Sequence, residues 1–472
     1  MLDRDAGLME MLAGWLPQQR WFPGRGRTVA ELAVVSDVTL QAGDPAMRHL
    51  IVQASLGTGA SGRFQVLVGY RTTLPPELRG SLIGHLNGAT CYDALHDPEL
   101  ADALLAGIGE QRLAGHLRFV REPDAPVLAS RAPARVLGAE QSNTSLVFGD
   151  QAILKVLRRL FPGANPDLEI ADALARLGSA RVATPYGWLE TDLDGEPVLL
   201  GVLSRFLAGA NDGWTLALER LRRLYARQGA YGREYLSEPV AAAAAGTAGA
   251  PDAGRALPFT DEARQLGLAT AELHADMARA FGSRPMTAAE VSALAADMHG
   301  KLSDAVAVVP ELARYEARIR SAYDAVATGL AGPVTVQRIH GDYHLGQVLL
   351  GPEGWVALDF EGEPGVPLEV RRASAPAMRD VAGMLRSFDY AARQQLVGHP
   401  DAGPLTRVAS AWVQQCQAAF CAGYAAGGGL DPDGHDALLH ALTLEKAVYE
   451  VVYEHRHRPA WLSIPLDFVA AA

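Results

Sequence analysis

Hydrophobic positions recur with a period of two through the first part of the chain. Runs at 34–40, 49–56 and 63–71 set β-branched and aromatic residues against small or polar ones, the pattern of half-buried strands. Further strand-like runs at 136–139, 146–148, 153–157 and 197–203 surround one helical stretch at 168–177. After Asn211 the spacing turns helical, predicting helices near 214–236, 260–281, 287–325, 408–426 and 435–455, with strands only at 335–339 and 355–360. The expectation is an α+β protein in three regions: a β-rich 1–130, a mixed 131–207 and a mainly helical 208–472. The stretch 238–254, rich in Ala and Gly, reads as a surface insertion on the helical region.

Length and charge narrow the possibilities. The 472 residues, 49% of them hydrophobic, suffice for two or three cores at roughly 150 residues each. Forty-two basic against 54 acidic residues give a net charge of -12, the wrong sign for a chain that neutralises nucleic-acid phosphates. Cys91, Cys416 and Cys421 are too few and too scattered for a disulfide framework or a zinc site, which predicts free thiols and a cytoplasmic location. No uncharged apolar run reaches the roughly 20 residues that cross a bilayer, and the acidic start lacks the order of a secretory signal. The expectation is a soluble protein with no nucleic-acid or membrane partner.

One glycine motif misleads. Gly57-Thr58-Gly59-Ala60-Ser61-Gly62 matches the dinucleotide-binding G-x-G-x-x-G pattern. That pattern needs a helix after its last glycine, whereas Arg63-Phe64-Gln65-Val66-Leu67-Val68 is strand-like, so a glycine-rich hairpin is the reading here.

The chemistry concentrates late in the chain. His340-Gly341-Asp342-Tyr343-His344-Leu345-Gly346-Gln347 is followed by an apolar strand and then Asp359-Phe360-Glu361. Five positions separate Asp342 from Gln347 and seventeen separate it from Asp359, the layout of a phosphoryl-transfer site. Such a site needs a carboxylate to orient the attacking hydroxyl and accept its proton, the role expected of Asp342. It also needs hard oxygen donors to hold Mg²⁺ on the nucleotide phosphates, which Asp359 and the Gln347 amide supply. This arrangement demands a phosphate grip earlier in the chain. Gln141, Ser142, Asn143, Thr144 and Ser145 form a predicted turn with hydroxyls and backbone N–H groups for phosphate oxygens. Lys155 interrupts an apolar strand, and Glu169, fourteen residues on, is expected to hold its ammonium toward the phosphates.

The chain resembles the maltokinases of the aminoglycoside-phosphotransferase-like, protein-kinase-like superfamily. The matching stretches are Gln19-Arg20-Trp21-Phe22, Glu140 to Ser145, Ile153-Leu154-Lys155-Val156, the Asp342 and Asp359 loops, Arg379 to Leu385 and Lys446 to Glu454. The resemblance implies a bilobal protein-kinase-like fold with a β-rich N-terminal cap over 1–130, the rest of the N-lobe over 131–207 and the C-lobe over 208–472. It further implies ATP and Mg²⁺ as cosubstrates, maltose phosphorylated at its anomeric hydroxyl to feed α-glucan synthesis, and in some members a complex with trehalose synthase. The chain lacks a glycine-rich loop over the nucleotide and carries Gln347 where protein kinases usually have Asn. The same catalytic loops also suit a glucosamine or other hexosamine kinase, and a silent partner of a trehalose-converting enzyme is a third reading.

On the acceptor side Lys446, Tyr449, Glu450, Tyr453 and Glu454 recur at spacings of three and four, so one helix face is expected to offer rings and charges to a sugar. His340 is assigned to the same substrate set. Asp380 is read as a carboxylate that anchors the catalytic loop through its backbone N–H groups or the His340 side chain. Arg205 and Leu207, where the lobes should join, are candidates to face adenine.

Overall fold

Alternating burial builds the strands that the N-terminal pattern predicts. In the computed structural model, which describes residues 2–472 except 24–25, 27, 57–60, 129–133, 139–141, 231–256, 329–331 and 364–365, the chain divides into two compact units. The first comprises Met1–Ala175 and Ala183–Ala208, the second Arg176–Val182 and Gly209–Ala472. The expected boundary at 130 and the 238–254 insertion lie outside the described residues.

The first unit holds two antiparallel sheets. One runs in the order Val29–Gln41, Ala46–Leu56, Ser61–Arg71, Ala89–Asp93, Leu82–Leu86. Ala46–Leu56 and Ser61–Arg71 pair in register, Ser55 opposite Ser61, so the glycine motif leads into a strand rather than a phosphate-binding helix. The seven-stranded second sheet runs Leu113–Ala114, Leu117–Arg121, Pro185–Leu193, Glu196–Arg205, Ala152–Leu157, Asn143–Phe148, Arg135–Leu137. Along Pro185–Leu193 buried residues alternate with half-buried or exposed ones, as a sheet with one face on the core requires. The helix Pro98–Gly109 covers this core: Asp97 caps its start by accepting from the Glu99 amide, and Leu100, Leu104 and Ile108 recur every fourth residue.

A buried cation ties these sheets together. Arg158 is fully buried, donates from Nε to Thr144 Oγ1 at 2.9 Å, pairs with Asp93 and lies 4.9 Å from the Trp21 ring. Trp21 and Phe22 pack in turn with Trp15 and Phe64. Removing Asp93 would leave a buried, uncompensated guanidinium, a change that costs about 3–5 kcal/mol. Asp93→Ala is therefore expected to lower the thermal unfolding midpoint in calorimetry, whereas Glu219→Ala, at an exposed carboxylate on a helix, leaves it nearly unchanged.

The second unit is mostly helical. Thr260–Phe281 and Ala402–Ala426 pack closely because glycines face each other: a β carbon at Gly267 would lie 2.0 Å from the Phe420 carbonyl oxygen, and one at Gly423 2.0 Å from that of Arg264. The predicted single helix at 287–325 is two, Ala288–Val308 and Glu316–Thr328. Pro310 lacks the N–H that would continue the first, and Val309 before it leaves the helical region. The buried helix Met378–Gln394 was not among the predicted elements. Asp436–His457 packs against it. A three-stranded antiparallel sheet of Asn211–Asp212, Val348–Gly351 and Gly354–Ala357 carries the two loops that bear the chemistry.

Candidate active site

The loop after Thr335–Gln337 is held by its own backbone. The Asp380 carboxylate, buried on Met378–Gln394, accepts from the His340 amide at 2.8 Å and the Gly341 amide at 2.9 Å. Gly341 takes φ +84°, a left-handed conformation that a glycine adopts without steric cost. The helix comes close enough because residue 383 is glycine, where a β carbon would lie 2.6 Å from the Tyr343 carbonyl oxygen. Burial opposes the charge on Asp380, but the hydrogen bond from His274 and the Gly341 amide outweigh it and hold the carboxyl below the usual carboxylate range.

His340 is placed differently from the substrate contact expected of it. Its ring is buried between Tyr343 and Phe360, with Nε2 donating to the Leu358 carbonyl at 2.8 Å. That bond joins the Asp342 loop to the Asp359 loop and leaves the imidazole no open face for a sugar.

Asp342 is half-buried among polar groups. Lys446 Nζ lies 3.6 Å from its Oδ1 and 2.9 Å from Glu363 Oε1, and His344 Nε2 lies 3.9 Å from its Oδ2. Burial works against the Lys446 ammonium, but Glu363 and Asp342 outweigh it and keep the group protonated well beyond its ordinary range. Burial lowers His344, whose Nδ1 accepts from the Gly346 amide, so its N–H points toward Asp342. Gln347 Nε2 donates to Asp359 Oδ2 at 3.1 Å, and Asp359 has φ 63°, an uncommon conformation for a residue with a side chain. Oxygens of Asp359 and Glu361 approach within 4.8 Å of one another. Two carboxylates with an adjoining amide are hard oxygen donors, a set that fits Mg²⁺.

Strand alternation divides the predicted phosphate turn of the first unit. Gln141 lies outside the described residues. Ser142 is exposed and Asn143 half-buried, but Thr144 and Ser145 are buried within Asn143–Phe148, with the Thr144 hydroxyl taken by Arg158. Those two are sheet residues rather than phosphate ligands. Lys155 Nζ pairs with Asp167 at 3.0 Å, a partner missed two residues before the expected Glu169 in the first turns of Pro166–Arg176. Glu169 is half-buried in the same helix. The Arg205 amide donates to the carbonyl of Thr184, just before Pro185–Leu193, and so is already taken, while Leu207 is half-buried just beyond the strand.

Asp436–His457 separates the residues predicted to share one face. Tyr449 and Tyr453 are exposed with rings 6.2 Å apart, and the Lys446 ammonium lies 4.8 Å from the Tyr449 ring. Glu450 and Glu454 turn inward instead. Glu450 binds Arg386, and Glu454 binds Arg458 and accepts from the Tyr390 hydroxyl at 3.2 Å. Glu450 is thus a core ion-pair partner rather than a sugar ligand, because it lies one position beyond Tyr449 and toward the packed side.

The fold and the Asp342–Gln347–Asp359 spacing define a phosphotransferase of the kinase class with an N-terminal cap. Residues 15–97 match the maltokinase N-terminal cap domain. A glucosamine kinase of Streptacidiphilus jiangxiensis is 33% identical over 380 residues, covering 77% of this chain and 79% of that protein. One of Mycolicibacterium smegmatis is 29% identical over 342 residues, covering 70% and 77%. A solved glucosamine kinase in complex with glucosamine, ADP and inorganic phosphate superposes with a TM-score of 0.64 at 25% identity, covering 98% of both chains. A second crystal form gives 0.65 at 26%, covering 98% of this chain and 99% of that one. The chain belongs to the family of these glucosamine kinases. Among the described residues no helix is long and apolar enough to cross a membrane.

Proposed function

We propose that the protein is an ATP- and Mg²⁺-dependent kinase whose acceptor is an amino sugar of the glucosamine class. The observation that carries the reading is the 33% identity to a glucosamine kinase across most of both chains, joined to the Asp342, Gln347 and Asp359 set. Asp342 orients the acceptor hydroxyl and takes its proton as the phosphoryl group is transferred. Asp359, Gln347 and Glu361 would hold Mg²⁺, which supplies positive charge to the nucleotide phosphates. Lys155, ion-paired with Asp167, is the phosphate-binding cation we assign within the first unit.

An ammonium on the acceptor needs a carboxylate, and Glu363 is the one paired with Lys446 beside Asp342. Loss of a hydrogen bond to a charged group costs about 1.5–3 kcal/mol. Glu363→Gln is therefore expected to raise KM for glucosamine at least roughly tenfold with a smaller change in KM for ATP; equal changes in both would remove Glu363 from the acceptor side.

Maltose is the second reading, favoured by the cap match over residues 15–97. ADP release measured with saturating glucosamine and with maltose separates the two, and product NMR identifies the phosphorylated position. Turnover with glucosamine is the expected result; turnover with maltose alone would replace the amino-sugar reading. No turnover with either sugar would return the non-catalytic partner reading.

A further inference from the structure

Behind the catalytic loop runs a buried polar chain that the phosphotransfer set does not use. Asp380 Oδ2, besides accepting from the His340 amide, lies 3.0 Å from His274 Nε2. The other ring nitrogen, Nδ1, lies 2.9 Å from the Tyr424 hydroxyl. All three side chains are buried, and the Tyr424 ring meets the imidazole edge-on at 5.6 Å. They belong to three different helices, Met378–Gln394, Thr260–Phe281 and Ala402–Ala426. The last two approach through Gly267 and Gly423, so Tyr424 follows immediately after the glycine that permits the contact.

We propose that Tyr424 and His274 are positioning residues: the Tyr424 hydroxyl donates to Nδ1, which holds the imidazole with its N–H on Nε2 and aims that N–H at Asp380. The carboxylate then keeps one oxygen on the Gly341 amide and the other on the His340 amide, and Asp342 follows those amides directly in the chain. Burial pushes the Tyr424 hydroxyl up, so it keeps its proton and serves as the donor that Nδ1 requires. An imidazole with its proton on Nδ1 would instead turn a lone pair toward the carboxylate and weaken its hold on the loop. The chain acts on Asp342 only through the backbone, since neither His274 nor Tyr424 is among the residues that meet the reacting groups.

Turnover of the sugar the parent enzyme accepts tests this, and that arm rests on the kinase reading. His274→Ala removes the donor to Asp380 and is expected to lower kcat by roughly 10–100-fold, the range for partners that orient a functional group from behind, with KM for ATP little changed. In His274→Gln the side-chain amide replaces Nε2–H, and most of the rate should return. Tyr424→Phe keeps the ring and its packing and should lower kcat roughly threefold to tenfold, the equivalent of one hydrogen bond. Hydrogen exchange of the substrate-free protein is independent of the acceptor. The amides of His340 and Gly341 should exchange faster in Tyr424→Phe and His274→Ala, while those of Gly354–Ala357 keep their parent rates. Unchanged kcat and unchanged exchange at 340–341 in a folded Tyr424→Phe would overturn the proposal, as would a His274→Gln no better than His274→Ala. If His274→Ala does not fold, Tyr424→Phe and His274→Gln decide alone. A parent that phosphorylates no sugar would defeat the kinase reading, and the exchange arm would still decide this one.

Discussion

Asp342→Asn is expected to lower turnover at least roughly a hundredfold, the lower range for a general base. The substituted amide keeps the shape of the side chain and its place beside Lys446, 3.6 Å from Oδ1 in the parent, but it has neither the charge that orients a hydroxyl nor the basicity to take its proton. Nucleotide affinity should survive, because the groups assigned to Mg²⁺ and phosphate are Asp359, Gln347 and Lys155. Steady-state rates with saturating sugar, together with calorimetric titration of ADP and Mg²⁺, check both halves. Near-parental turnover would mean that another group, such as His344 with its Nε2 3.9 Å from Asp342, activates the hydroxyl. Asp359→Asn should behave in the opposite way, weakening nucleotide binding in Mg²⁺ while leaving metal-free binding less changed.

The different roles proposed for those two carboxylates come from the sequence, because phosphoryl transfer constrains residue type and spacing together. Two loops must present a base and two oxygen ligands around a short hairpin, and few other uses of Asp342, Gln347 and Asp359 would impose those intervals. The kinase-like fold and its cap followed from the family resemblance, which rests on those loops together with stretches such as Gln19-Arg20-Trp21-Phe22 and Ile153-Leu154-Lys155-Val156. Side-chain direction was harder to read wherever a local period is shared by two faces. Thr144 and Ser145 follow a turn in sequence, yet the strand begins at Asn143 and carries them into the core. Glu450 and Tyr449 satisfy the same three-and-four spacing from nearby positions, and only a partner on another helix, Arg386, decides which one turns inward. The helix bearing that partner carried a legible signal that the reading passed over: Arg379, Arg386, Asp389 and Arg393 in Met378–Gln394 recur at helical spacing, although burial of nearly the whole helix leaves that polar side facing ion-pair partners rather than solvent. His274 gave no signal of its own, and Glu363 was passed over although it follows Glu361 by two residues; the significance of both arises from contacts more than eighty positions away.

Glu450→Ala is expected to destabilise the second unit by about 3–5 kcal/mol, the cost of removing one member of a buried ion pair. Arg386 is fully buried, with Nε and a terminal nitrogen on Glu450 Oε2 at 2.9 and 2.8 Å and another on Asp389 at 2.8 Å. Burial opposes its charge, but Glu450 and Asp389 outweigh that in the parent, and a guanidinium is too basic to become neutral when a partner is lost. Asp389 would remain, already shared with Arg393 at 2.6 Å, and one carboxylate would face two guanidinium groups. The apolar double substitution Arg386→Leu with Glu450→Leu removes both charges and leaves Asp389 with Arg393, so it should cost less than the sum of the single changes. Thermal unfolding of the parent, Arg386→Leu, Glu450→Leu and the double gives the coupling directly, with Glu450→Ala measured beside them. Equal midpoints for Glu450→Ala and the parent would show that the pair contributes nothing, and additivity of the two leucine substitutions would show that Arg386 and Glu450 do not act on each other. The same cycle should bear on activity, because Lys446 lies one helical turn before Glu450 on Asp436–His457 and is held beside Asp342 by the seating of that helix. Where the pair is lost, KM for the sugar should rise at temperatures well below unfolding, and where the double substitution restores the packing it should fall back toward the parent value.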